Sequence, residues 1–140
     1  MRLRSLIFSL SPLLLLGCQP PGYTVIASLE GGRLIFTSRG DGGWPFRAAD
    51  NSAKADTIEV RDGEHVAWRI EGSGTDAKCE IFARFGFPLA YGATPRCFKA
   101  TVPATRLVHG RAYEIESGGL GGAGRGRGSF RLGETVENLE

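Results

Sequence analysis

Residues 56–72, DTIEVRDGEHVAWRIEG, carry the clearest fold signal in the chain. Apolar and polar side chains alternate on both sides of Asp62-Gly63, a pair that favours a tight turn between two antiparallel strands. The side chains predicted to face the core are Ile58, Val60, Val66, Trp68 and Ile70, and those predicted to face solvent are Glu59, Arg61, Ala67 and Arg69. This alternation predicts a β-hairpin with one buried face.

The same pattern recurs along the chain. Further strands are predicted at 23–29, 33–38, 79–85, 97–102, 111–117 and 128–132, and an irregular segment at 39–55. Apolar residues do not repeat at helical spacing over three turns in any segment, and glycine is abundant. We therefore predict an all-β domain, an immunoglobulin-like antiparallel β-sandwich of about seven strands, with a small β-barrel as the alternative.

The spacing Leu107-x-x-Gly110-x-x-Tyr113 resembles the tyrosine corner of immunoglobulin-like and fibronectin-like sandwiches. In that motif the tyrosine hydroxyl turns back to the backbone of the preceding loop. The resemblance implies this role for Tyr113, and Trp68 is the expected core tryptophan.

The chain opens with two arginines and an apolar stretch over residues 6–16. The stretch is shorter than the roughly 20 residues that a bilayer-spanning helix needs, and it is typical of a secretory signal peptide. Its end, Leu15-Leu16-Gly17-Cys18, resembles a bacterial lipobox, which implies removal of residues 1–17 and lipid attachment at Cys18. An ordinary signal peptide with a chance cysteine is the alternative. Gln19 after the cysteine, in place of aspartate, favours the outer over the inner membrane, facing the periplasm.

These features divide the chain into a signal peptide at 1–17, a lipidated tether at 18–22, a β-domain at 23–133 and a C-terminal tail at 134–140. Removing the signal takes two of the 17 basic residues and leaves 15 against 15 acidic ones. This balance argues against nucleic acid as a partner and against a polybasic membrane surface. The expected membrane contact is the lipid itself.

Cys79 and Cys97 remain after processing. In an oxidising compartment an isolated pair predicts a disulfide. A redox pair is disfavoured because Cys-x-x-Cys spacing is missing, and a metal site because only His65 and His109 could assist. We expect the bridge to hold a loop or neighbouring strands rather than the core.

Residues 119–128, GLGGAGRGRG, combine a dinucleotide-like pattern with an arginine-glycine run. A dinucleotide loop must open a helix, whereas the residues that follow alternate as a strand does. We therefore predict the last hairpin loop of the domain, with no nucleotide and no cofactor. Arg125 and Arg127 are the candidate contacts of this loop with an envelope protein partner.

Neither histidine stands in a nucleophile motif, so we predict no catalytic residues, no metal ligands and exposed positions for both. The aromatic residues of 44–46 and 85–91 are interpreted as loops that cover the core, with an exposed patch for a partner as the alternative.

The segments FPLAYGATPRCF (87–98), LVHGRAYEIESGG (107–119) and GSFRL (128–132), together with the lipobox, resemble a group of small proteobacterial lipoproteins. The resemblance implies an envelope location and no particular activity. We therefore predict a non-catalytic binding or structural accessory module. The alternative is an inhibitor of a cell-wall-degrading enzyme such as a lysozyme, since small secreted β-domains can block an active site with a loop.

Overall fold

A computed structural model describes residues 22–40, 51–73, 78–80, 83–118 and 124–140. The predicted signal peptide, Cys18 and the aromatic segment 44–46 lie outside the described residues. The regular elements within the described residues are strands: β1 Tyr23–Glu30, β2 Arg33–Gly40, β3 Lys54–Ala55, β4 Thr57–Asp62, β5 His65–Gly72, β6 Phe85–Gly86, β7 Leu89–Ala90, β8 Phe98–Val102, β9 Ala112–Gly118, β10 Gly126–Leu132 and β11 Val136–Leu139.

Most of these strands form one curled, mixed sheet in the order β7-β2-β1-β10-β9-β4-β5-β8, with β11 also paired to β10. Strands β3 and β6 form a small second sheet. The all-β prediction is confirmed, and this half-barrel is compatible with a sandwich or a small barrel. One pair departs from the expected antiparallel arrangement, because β1 runs parallel to β10 through Tyr23↔Gly126 and Thr24↔Arg127.

The concave face of the sheet holds the core. Trp68, Phe36 and Phe130 are fully buried there. The ring of Phe36 lies 6.3 Å from that of Trp68 and 6.0 Å from that of Phe130, centroid to centroid. Such aromatic contacts add to the stabilisation that comes from burial alone. The predicted core position of Trp68 is confirmed.

Tyr91 links the two edges of the curled sheet. It follows the edge strand β7, and its hydroxyl lies 3.1 Å from the carbonyl oxygen of Ala67 and 2.9 Å from that of Thr105. Ala67 belongs to β5, which pairs with the other edge strand, β8. Burial raises the pKa of Tyr91, although its hydrogen bonds to Thr105 oppose this, so the hydroxyl remains a proton donor at neutral pH.

A β-bulge changes the pattern that the sequence predicted for the β4–β5 hairpin. Val60 pairs with Trp68 but Arg61 pairs with Val66, so Ala67 is the extra residue. An extra residue shifts the side-chain alternation on its strand. Ala67, predicted to face solvent, is therefore buried, and Val66, predicted to face the core, is half-exposed.

Two predicted boundaries are wrong. The strand predicted at 79–85 is missing from the described part of that segment, where β6 starts only at Phe85. The predicted tail at 134–140 contains β11, which pairs with β10. Asn138 on β11 also accepts a hydrogen bond from the Ala27 amide at 2.8 Å and donates one to the Ala27 carbonyl at 2.9 Å. These side-chain hydrogen bonds add to the backbone pairing with β10 and to the partly buried Val136, which packs against the core.

Cys79 and Cys97 form the predicted disulfide, with an S–S distance of 2.01 Å. Both cysteines are half-exposed, and Cys97 directly precedes β8. The Ser73 amide after β5 donates a hydrogen bond to the Cys97 carbonyl at 2.8 Å. The bridge therefore holds a connecting segment against the ends of two strands, as expected.

Candidate functional site

The arginine-glycine run lies at the end of the sheet where β1 begins, which we call the glycine end. Arg127, predicted in a loop, belongs to β10, whereas Arg125 lies in the connection just before β10, as predicted. A Cβ on Gly126 would lie 2.1 Å from the Tyr23 ring, and one on Gly128 would lie 2.0 Å from the Val25 carbonyl oxygen. Glycine is required here because β1 crosses β10 at contact distance.

A row of polar and charged side chains crosses the convex face at this end. The strand register places Thr24, Arg127, Glu116, Glu59 and Arg69 side by side on five neighbouring strands. Directly opposed residues in a sheet point to the same face. The four charged residues of this row, with the neighbouring Thr57, Arg61, Glu71 and Arg125, line a shallow groove of about 370 Å³ that we call the charged groove.

Glu59 is the most enclosed carboxylate of the charged groove, with 12% of its side chain exposed. It accepts hydrogen bonds from Nε of Arg61 at 2.7 Å and from Nε of Arg69 at 2.5 Å. Burial alone raises the pKa of Glu59, but the two guanidinium groups outweigh this effect and lower it below its ordinary value. Glu59 therefore stays ionised and fixes both arginines.

The two arginines on the other side of the charged groove, Arg125 and Arg127, make fewer and longer ion pairs with described residues than Arg61 and Arg69. The guanidinium of Arg127 lies 3.9 Å from Glu116, and 75% of its side chain is exposed. Arg125 is exposed and forms no ion pair within the described part of the chain. Guanidinium groups bind carboxylates and phosphates through paired hydrogen bonds. This rim of the groove can therefore accept an anionic group.

The opposite end of the sheet carries an irregular segment, residues 103–111, which we call the strap. It joins β8 to β9 across the ends of β4 and β5. The Val108 amide donates to the Tyr113 hydroxyl at 2.8 Å, so the predicted tyrosine corner is confirmed. The Thr105 amide donates to the Ala67 carbonyl at 3.0 Å, and the Gly110 amide to the Leu132 carbonyl at 2.6 Å.

The strap lies between two clefts. A mostly apolar cleft of about 400 Å³ separates it from the β1–β2 hairpin and is lined by Leu29, Leu34, Tyr91, Leu107, His109 and Leu132. A smaller cleft of about 230 Å³ lies on the β4–β5 side and is lined by residues such as Asp62, His65 and Arg111. The strap is therefore a ridge on the molecular surface.

His65 and His109 are both exposed, as predicted. Within the described ranges, His, Cys, Asp and Glu do not gather in any group of three that could hold a metal ion. The described residues also contain no helix that is long and apolar enough to cross a membrane.

The aromatic segment 85–91 covers the core, as predicted, rather than forming an exposed patch. Phe85 and Phe87 are buried with ring centroids 5.8 Å apart, and Phe87 lies 5.8 Å from the ring of Tyr23.

Comparison with known proteins adds no assignment. No protein-family model matches the sequence, and no significant match was found among curated proteins or among solved structures.

Sequence reasoning singled out Arg125 and Arg127 but missed the rest of the charged groove. Glu59, Arg61 and Arg69 were predicted only to face solvent, and their position beside Arg125 and Arg127 depends on the strand order β10-β9-β4-β5. It also treated the strap only as the loop before Tyr113. The hydrogen bonds that hold the strap to Tyr91 and Tyr113 could not be predicted, because they depend on the order of the strands in the sheet.

Proposed function

We propose that the chain is a lipoprotein of the bacterial envelope, anchored through acyl chains on Cys18 and facing the periplasm, at the outer rather than the inner membrane. The lipobox-like end of the apolar stretch supports this anchor. Several acyl chains hold a protein firmly, since each buried methylene contributes about 0.8 kcal/mol. No membrane-crossing segment is needed for such attachment.

The position of β1 gives the anchored domain an orientation. Tyr23, its first residue, follows Cys18 by five positions. Five extended residues span at most about 18 Å, so the glycine end faces the membrane. In this proposal the strap lies on the side away from the membrane, because an eight-residue strand such as β1 is about 26 Å long.

The domain itself serves in this proposal as a non-catalytic binding or accessory module. The observation that carries this role is the charged groove, in which Arg125 makes no ion pair with a described residue and Arg127 makes only a long one with Glu116, at 3.9 Å. The carboxylate most enclosed in the groove, Glu59, is already held by two arginines, so it serves the architecture rather than proton transfer. The ligand class is an anionic group, such as a carboxylate, on an envelope protein partner.

Two experiments test the two parts of the proposal separately. For the anchor, we expect Cys18→Ser to move the protein from the membrane fraction to the soluble fraction and to abolish its labelling by palmitate. Membrane attachment and labelling that persist in this variant would refute the lipid anchor.

For the groove, the Arg125→Glu, Arg127→Glu double variant should lose the main in-cell crosslink of the wild-type protein. The control is Arg33→Glu, an exposed arginine at the β1–β2 turn, outside the groove. Equal crosslinking of the double variant and the wild type would rule out the groove as the binding surface.

A further inference from the structure

The strap combines exposure with a fixed backbone. All of its residues except the half-buried Leu107 are exposed. Exposed loops without regular structure are usually among the more mobile parts of a protein. Here the backbone at Thr105, Val108 and Gly110 is held by hydrogen bonds to β5, to Tyr113 and to β10.

Tyr91 also fixes the strap through a hydrogen bond. Its hydroxyl contacts the Thr105 carbonyl at 2.9 Å, while the Thr105 hydroxyl donates to the Ala67 carbonyl at 3.2 Å. A loop that is already ordered loses little conformational entropy when it binds, so its contacts contribute more fully to affinity. The strap is therefore preorganised for recognition.

The exposed side chains of the strap indicate the chemistry of a partner. Val108 is 51% exposed and is one of only two large hydrophobic residues exposed within the described part of the chain. The other, Leu29, lines the cleft beside the strap. An exposed apolar side chain on a rigid ridge suits insertion into a concave surface.

The charges on the strap further limit the kind of surface that it can bind. The strap contains Arg106, His109 and Arg111 and has no acidic residue. Arg111 is occupied by an ion pair with Asp62 at 2.5 Å, whereas Arg106 is exposed and makes no ion pair with any described residue. The complementary surface is thus a cleft with apolar walls and a carboxylate that Arg106 can reach.

We propose that the strap binds the substrate cleft of a cell-wall glycosidase of the lysozyme class and thereby inhibits it. Glycosidases place two carboxyl groups roughly 5 to 9.5 Å apart in an open cleft, and this arrangement offers a carboxylate partner for Arg106. This inference rests on the proposed role of the domain as a binding module. The contacts of the strap involve neither the lipid anchor nor the charged groove, whereas the choice of a cell-wall enzyme as partner follows from the proposed envelope location.

The test uses the full lipidated chain in detergent micelles and purified lysozyme as the probe. We expect the wild-type protein to inhibit lysis of a cell-wall suspension in a stoichiometric manner. A chito-oligosaccharide that fills the lysozyme cleft should prevent binding. Arg106→Glu should weaken inhibition by roughly 30-fold or more, and Val108→Asp by roughly 10-fold or more.

The control is Arg96→Glu, which reverses an exposed arginine that lines none of these clefts and should inhibit like the wild type. Thermal unfolding of each variant shows whether the fold is kept. The proposal is overturned if the wild-type protein does not inhibit lysozyme, or if the strap variants and the control inhibit equally. It is also overturned if sedimentation shows that Val108→Asp only disrupts a dimer of this chain.

Failure of this assay would leave the proposed function standing. The membrane fractionation of Cys18→Ser and the crosslinking of the groove variant do not involve the strap. Conversely, a soluble Cys18→Ser protein that still inhibits lysozyme would support the strap, and membrane attachment would still be judged by its own experiment.

Discussion

The two ends of the sheet are built on different physical principles. At the glycine end, β1 can cross β10 only because Gly126 and Gly128 lack side chains. At the strap end, the hydroxyl groups of Tyr91 and Tyr113 hold an exposed segment in place. At the glycine end, a single added side chain is expected to disrupt the packing of two strands. At the strap end, hydrogen bonds can be lost one at a time, so stability should fall in smaller steps.

This difference bears on function. The tightly packed glycine end gives a fixed base for the charged groove, whereas the strap end presents side chains that can change without loss of the fold. Tyr23 and Ser117 show that the glycine end also contains a buried polar contact, with 2.7 Å between their hydroxyl oxygens. That contact lies directly against the space that a side chain on Gly126 would fill. Packing and hydrogen bonding are therefore coupled at one end and separable at the other.

The largest expected effect comes from adding a methyl group at the crossing of β1 and β10. In Gly128→Ala the new Cβ would lie 2.0 Å from the backbone oxygen of Val25, so one strand must move. We expect a loss of about 3 kcal/mol or more in the free energy of unfolding, measured by urea denaturation.

The matched control for this change is Gly72→Ala. Gly72 also lies in a strand, but a Cβ there would meet no atom within 4 Å. The control should stay within about 0.5 kcal/mol of the wild type. Similar stability of the two variants would contradict the steric account of the glycine end.

A smaller effect is expected when the tyrosine corner loses its hydroxyl. Tyr113→Phe leaves the Val108 amide without its hydrogen-bond acceptor while the ring stays buried. The expected loss is about 1 to 2 kcal/mol, since an orphaned amide costs free energy but the strap keeps its other bonds.

Amide hydrogen exchange should localise this effect. The Val108 amide should exchange faster in Tyr113→Phe, while the amides of β1 and β10 remain protected. Uniformly faster exchange throughout the sheet would mean that the strap end is as cooperative as the glycine end, and the contrast between the ends would be lost.

Much of this architecture is predictable from sequence because it follows from local alternation. The β4–β5 hairpin, Trp68 in the core, the corner at Tyr113 and the Cys79–Cys97 pair were all predicted correctly. The parallel β1–β10 pair was not predicted, because pairing between distant strands leaves no local pattern. The bulge at Ala67 and the polar strand β11 were missed for a related reason, since each depends on the neighbour that it meets.

The candidate site was less predictable than the fold. Arg125 and Arg127 were singled out only because they alternate with glycines. Those glycines are needed for the close packing of β1 against β10. Their position on the rim of the charged groove depends on Glu116 and Glu59 arriving from two other strands. Residues that form a surface across strands cannot be grouped before the strand order is known.

The smallest expected effect concerns the charged groove and is tested by pH. Because the arginines lower the pKa of Glu59 in the folded protein, its contribution to stability is present above the ordinary glutamate value near 4.5. It is lost as the pH falls through the lowered value. Glu59→Gln should therefore reduce the free energy of unfolding by about 1 kcal/mol at neutral pH, and the difference from the wild type should shrink in acid.

Glu71→Gln is the control for this titration, because Glu71 is 40% exposed and lies 3.9 Å from Arg69. It should change stability little at any pH. If Glu59→Gln and the wild type keep a constant difference below pH 4.5, Glu59 does not hold Arg61 and Arg69 as an ionised group. The charged groove would then be a collection of separate surface charges, and the glycine end would owe its order to packing and to the buried Tyr23–Ser117 contact.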